Sequence, residues 1–90
     1  MANLGVVALE SGDLERAQAL SEESLSLYEK RGDKGGVALA LINLGDVARR
    51  RGDEERALAL YNDALALHRE LGNQRGVARA LERLSPAAQR

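Results

Sequence analysis

Shifted by forty residues, this chain overlays itself. The stretch NLGVVALESGDLERAQAL, from Asn3, aligns with NLGDVARRRGDEERALAL, from Asn43, and RGDKGGVALALINL, from Arg31, aligns with LGNQRGVARALERL, from Leu71. About half of the aligned positions are identical. A repeat of this length implies supersecondary units that bury their apolar faces only by stacking on one another, which is the logic of a solenoid.

A finer punctuation runs inside the repeat. Gly12-Asp13, Gly32-Asp33, Gly52-Asp53 and Gly72-Asn73 recur at intervals of twenty. Glycine past a helix end takes the left-handed conformation without steric cost. Asp or Asn next to it can accept from the free N–H groups of a following helix. Each pair therefore reads as one helix stopping and the next starting. Glu15, Glu54 and Glu55 lie in first turns, and Lys30, Arg31 and Arg49 to Arg51 in last turns, the signs the helix dipole favours. Between the junctions the apolar residues keep a helical period. Leu41, Leu44, Val47 and Ala48 share one face, and Ala57, Leu60, Tyr61, Ala64, Leu65 and His68 share another.

The expected fold is all-α: an α-solenoid of antiparallel helical hairpins with about five helices, near 2–11, 13–31, 34–51, 53–71 and 74–84. The whole chain, 1–90, reads as one domain: a truncated first unit over 1–32, a second over 33–72, a partial third unit or capping helix over 73–85, and a tail from Pro86. Its core must come from Leu, Ala and Val, because Phe and Trp are absent and the only aromatics are Tyr28 and Tyr61. Without cysteine there is neither a disulfide nor a thiolate metal site, and the single histidine, His68, builds no metal site alone. No cofactor is expected. The net charge of -1 supplies no global pull toward nucleic acid or anionic membrane. No apolar run approaches the roughly 20 residues that cross a bilayer. A soluble, cytoplasmic protein is the expectation.

Within LINLGDVARRRGDEERALALYNDALAL the second unit resembles the tetratricopeptide repeat. Leu41, Leu44, Gly45 and Ala48 match the first helix of that pattern, and Ala57, Tyr61 and Ala64 match the second. Gly45 and Ala57 are small where the two helices cross, and Tyr61 fills the space beyond. The first unit matches through Leu4, Gly5, Ala8 and Ala17, but places Ser21 and Ser24 in the slots of Tyr61 and Ala64, so it should pack less well. The forty-residue period, with Gly-Asp or Gly-Asn in place of a closing proline, is similar to the variety found in kinesin light chains and in bacterial signalling and transcriptional regulators. The resemblance implies a scaffold for protein–protein interaction, binding a peptide or helical segment in a concave groove lined by the first helix of each hairpin.

The groove candidates are Asn3 and Val6 from the first unit, Leu39, Ile42, Asn43, Asp46 and Arg50 from the second, and Arg79 and Arg83 from the third. Spacings of three or four place each set on one stripe. Asn3 and Asn43 each precede Leu-Gly; an amide offers both donors and an acceptor to a peptide backbone, and the resemblance implies an asparagine ladder, broken where Arg83 takes the third place. Asn43, Arg79 and Arg83 also match part of a carboxylate clamp, but Ala2 and Val6 stand where the resemblance implies Lys and Asn. Met1, Leu4 and Val7 are candidates for self-association through an open end, which supports the alternative: a structural repeat fragment that oligomerises without a separate ligand.

Other motifs have plain structural readings. Both Arg-Gly-Asp triplets, at Arg31 and Arg51, fall on helix junctions. Gly32 to Gly36 lacks the Gly-Lys-Ser/Thr ending of a phosphate loop. Arg49 to Arg51 is a helix C-terminus with cations on the dipole, and no stacking aromatics accompany it. His68 stands forty residues after Tyr28, which argues for packing over catalysis. No arrangement of residues points to an enzyme.

Overall fold

The computed structural model describes residues 13–85. They form four helices: α1, Leu14–Arg31; α2, Lys34–Arg50; α3, Glu54–Leu71; and α4, Gln74–Leu84. The helix expected near 2–11 lies outside the described residues, as do Met1, Asn3, Leu4, Val6 and Val7 and the tail from Pro86. The described part is all-helical, as expected for a solenoid of helical hairpins, with no strand among the described residues. Each helix packs on the next, and α2 also touches α4. Among the described residues α1 and α3 make no close backbone approach to one another.

The junctions explain why helices form where they do. Gly32, Gly52 and Gly72 have φ of 68°, 85° and 68°. At each, the glycine N–H and the next N–H turn back onto carbonyls of the last helical turn: Gly32 to Glu29 and Asp33 to Tyr28, Gly52 to Arg49 and Asp53 to Ala48, Gly72 to Arg69 and Asn73 to His68. This is the paired closure of a Schellman motif. The second residue of that closure is also the N-cap of the next helix. Asp33 accepts from Gly36 N–H at 2.9 Å, Asp53 from Arg56 N–H at 3.1 Å and Asn73 from Gly76 N–H at 3.1 Å. Asp13 caps α1 in the same way through Arg16 N–H. One residue thus closes one helix and opens another, which leaves no room for a longer loop. Asp13 and Asp53 stand just outside the helices rather than within them.

Most of the core lies in one cluster. Ala38, Ile42, Leu44 and Ala48 of α2 meet Ala57, Leu60, Tyr61, Ala64 and Leu65 of α3, with Ala80 of α4 closing it. A smaller cluster joins Ala17 of α1 to Val47 of α2. Small residues let the helices approach, and Tyr61, Ile42 and Val47 are the largest side chains wholly enclosed. Gly45 shows the constraint directly: a Cβ there would fall 2.5 Å from Cε1 of Tyr61, so the ring needs the bare backbone opposite it.

Candidate functional site

The first helices of the hairpins, α2 and α4, carry the groove candidates that fall within the described residues. Leu39, Asn43, Arg50 and Arg79 are exposed. None of these four makes a side-chain hydrogen bond or ion pair with another described residue. Ile42 requires a correction: it is 1% exposed and belongs to the core with Ala38 and Ala80. Enclosed in that cluster, its side chain is not available to a ligand.

Asp46 and Arg83 are already engaged. Arg83 donates from Nε to Oδ1 of Asp46 at 2.9 Å and from Nη2 to Oδ2 at 3.3 Å. Tyr61 donates its hydroxyl to Asp46 Oδ1 at 2.6 Å. Arg49 lies over the Tyr61 ring, 4.9 Å from its centroid, where cation–π attraction operates. The same guanidinium grips Glu54 with two bonds of 3.1 Å and donates to the Arg83 carbonyl at 2.9 Å. That last bond satisfies one of the carbonyls a helix end leaves unpaired. The result is one connected network linking α2, α3 and α4. Burial, then the bond to Asp46, pushes the Tyr61 phenol well above its ordinary range, and the bond to Asp46 raises the Arg83 guanidinium. Both therefore keep their protons at any ordinary pH. Sequence reasoning assigned Arg49 only to the helix dipole. Its place between Tyr61 and the end of α4 depends on a contact across 34 residues, for which the sequence holds no local signal.

His68 is 5% exposed and lies flat on Gly76, where a Cβ would overlap its ring. Tyr28 lies on Gly36 in the same way, forty residues earlier. Asn73 uses its Oδ1 on Gly76 N–H, so its amide nitrogen faces His68 Nδ1 at 3.3 Å. Nδ1 then accepts, and the ring proton sits on Nε2. Burial, then the Arg79 charge, holds the imidazole below its ordinary value of 6.5. Beside this ring is a depression of about 200 Å³, bordered by Leu39 on one side and by Arg75 and Arg79 on the other.

Among the described residues no group of His, Cys, Asp and Glu could hold a metal ion. No described helix is long and apolar enough to cross a membrane. The family model described as Tetratricopeptide repeat matches residues 1–70. No curated protein and no solved structure matches the chain.

Proposed function

Because the chain belongs to the tetratricopeptide repeat family, whose repeats are generally protein–protein interaction modules, we propose that the exposed face shared by α2 and α4 binds an extended peptide or helical segment of a protein partner. One observation supports this reading above the others. The inner charges of these helices, Asp46, Arg49 and Arg83, are consumed by the fold, whereas Leu39, Asn43, Arg50 and Arg79 are left exposed and unpaired among the described residues. Asn43 offers the backbone of a partner both kinds of hydrogen bond. Leu39, 38% exposed, offers apolar contact. The test is selection of peptides from a displayed library, followed by the Asn43→Ala/Arg50→Ala variant. An affinity loss of about tenfold or more supports the face as the site; selected peptides that bind the variant unchanged place the site elsewhere.

A second reading is self-association. Leu81 is 45% exposed, whereas Leu41, forty residues earlier, packs against the core. Light scattering against concentration tests it: a Leu81→Lys variant that dissociates a concentration-dependent oligomer favours this reading, and a strictly monomeric parent chain at high micromolar concentration rules it out.

A further inference from the structure

The two junctions related by the repeat share their framework and differ in their charge. At the first, Tyr28 lies on Gly36 and the capping residue is Asp33; at the second, His68 lies on Gly76 and the cap is Asn73. Leu39 of the first corresponds to Arg79 of the second, and Gly35 corresponds to Arg75. Over 33–39 the charges cancel, Asp33 against Lys34; over 73–79 Arg75 and Arg79 stand with no acid among them. The packing that makes the turn has been kept while the surface has become cationic.

That surface surrounds the depression beside His68. Arg75 and Arg79 are four apart on α4 and so share a face. Neither has a hydrogen-bonding or ionic partner among the described residues. Like charges at this spacing repel by a few tenths of a kcal/mol in an isolated helix, a cost an anion between them removes. The one nearby acid paired across helices, Glu70, is held by Lys34 at 2.6 Å. Asn73 already occupies the Gly76 N–H, so the guanidinium groups and not the helix end are the available donors. At about 200 Å³ the depression is smaller than the roughly 300–1,000 Å³ of small-molecule pockets and suits side chains of a larger partner. Its opposite wall, Leu39, is apolar.

We propose that this corner, at the start of α4, receives an acidic side chain next to an aliphatic one on a partner peptide, the carboxylate bridging Arg75 and Arg79 while the aliphatic group lies on Leu39. The inference rests on the peptide-binding reading given above and names the chemistry of the partner at one end of that face. Lysine cannot replace either arginine fully, because the planar fork matches a carboxylate with two parallel bonds.

The probe is an acetylated, amidated peptide of alternating Leu and Glu, titrated into the 15N-labelled chain at low salt, with a Leu/Lys peptide as its charge-reversed counterpart. Amide shifts concentrated at 35–39 and 73–79, affinity lowered roughly tenfold in Arg75→Ala/Arg79→Ala, and affinity retained in the charge-matched Arg56→Ala/Arg69→Ala variant on α3 support the assignment. Binding of the Leu/Lys peptide with equal strength overturns it. So does the absence of saturable Leu/Glu binding up to millimolar peptide, or inorganic phosphate moving the same amides at equal concentration, which assigns the corner to phosphate. Peptide binding centred on Asn43 and Arg50, and unchanged in Arg75→Ala/Arg79→Ala, overturns this corner while leaving the peptide-binding face intact. Library selection that yields nothing sensitive to Asn43→Ala/Arg50→Ala overturns the face itself.

Discussion

Helices α1 and α3 have the same length, 18 residues, and correspond across the forty-residue shift, yet they contribute unequally. α1 buries Ala17 and Ser21. α3 buries Ala57, Leu60, Tyr61, Ala64, Leu65 and His68. The decisive substitution is at one slot, Ser21 against Tyr61. A serine there, though buried, fills far less volume than a tyrosine. A tyrosine there lies on Gly45, donates to Asp46 and supports Arg49. Changing one side chain converts a filler position into the hub of a three-helix network. It also determines which surface charges remain for a partner, because Asp46 and Arg83 are drawn inward.

The strongest way to break this contrast is to remove the hub. Tyr61→Ala should cost about 3–5 kcal/mol, the range for deleting a buried aromatic side chain, against a total stability of roughly 5–15 kcal/mol for a domain of ordinary stability. Urea denaturation followed by circular dichroism measures it. Ser21→Ala should cost under about 1 kcal/mol. Equal losses at the two positions would mean that the hairpins are equivalent after all.

The two glycine–aromatic contacts sharpen the comparison at the next level. Gly76→Ala drives a Cβ into His68, which is nearly enclosed. A loss of about 1–3 kcal/mol is expected, as for other overpacked sites. Gly36→Ala meets Tyr28, which is only half-buried and can swing outward. The roughly 1 kcal/mol by which alanine favours a helix over glycine should then offset most of the cost. Thermal melts of both variants, and of Gly76→Ala combined with His68→Ala, check the assignment; the second change should recover part of the loss.

The contrast also shows what a sequence of this kind reveals. The helix ends were legible because a left-handed glycine and an Asp or Asn cap act on their own neighbours. So was the buried face of α3, since one helix has one period. Ile42 is a core residue because it joins a cluster that α2, α3 and α4 build together, and periodicity within α2 alone does not encode that three-helix arrangement. The pairing of Asp46 with Arg83 spans 37 residues and has no counterpart one repeat earlier, where Val6 and Asn43 occupy the corresponding positions. The repeat could not announce an interaction that it does not repeat.

Asp46→Asn tests that unrepeated link. It keeps an acceptor for Tyr61 but removes the charge that holds Arg83. The side chains of Arg83 and Asp46 are 32% and 24% exposed, so solvent screens part of the attraction, and a loss of about 1 kcal/mol is expected. The freed Arg83 should strengthen binding of an acidic peptide, measured by titration in the same variant.

The histidine in the second junction gives a difference of another kind. Its ordinary value is 6.5, and burial with the Arg79 charge lowers it in the folded chain. Between the two values the unfolded chain binds the additional proton, so stability rises with pH across that window. It is complete above about 6.5 and declines as pH falls toward the folded value. Thermal midpoints measured on acidification should fall more steeply for the parent chain than for His68→Tyr, which carries the side chain of the first junction. Identical slopes would remove His68 from the pH response.

The smallest expected effect comes from one of the shortest contacts. Lys34 Nζ lies 2.6 Å from Glu70 Oε1, the same separation as between the Tyr61 hydroxyl and Asp46. Distance alone would rank the two bonds together, with the ion pair ahead because both its members are charged. Their surroundings reverse the order. The side chains of Lys34 and Glu70 are 55% and 56% exposed, so water competes for both charges and two long side chains lose freedom to meet. Tyr61 has no such competition on its ring and only a half-buried carboxylate to satisfy. Lys34→Ala should change stability by no more than about 0.5 kcal/mol, and less at high salt, whereas Tyr61→Phe, which deletes one oxygen, should cost about 1–2 kcal/mol. If chemical denaturation returned the opposite ranking, the advantage of α3 over α1 would lie in its surface ion pairs and not in the buried hydroxyl at the hub.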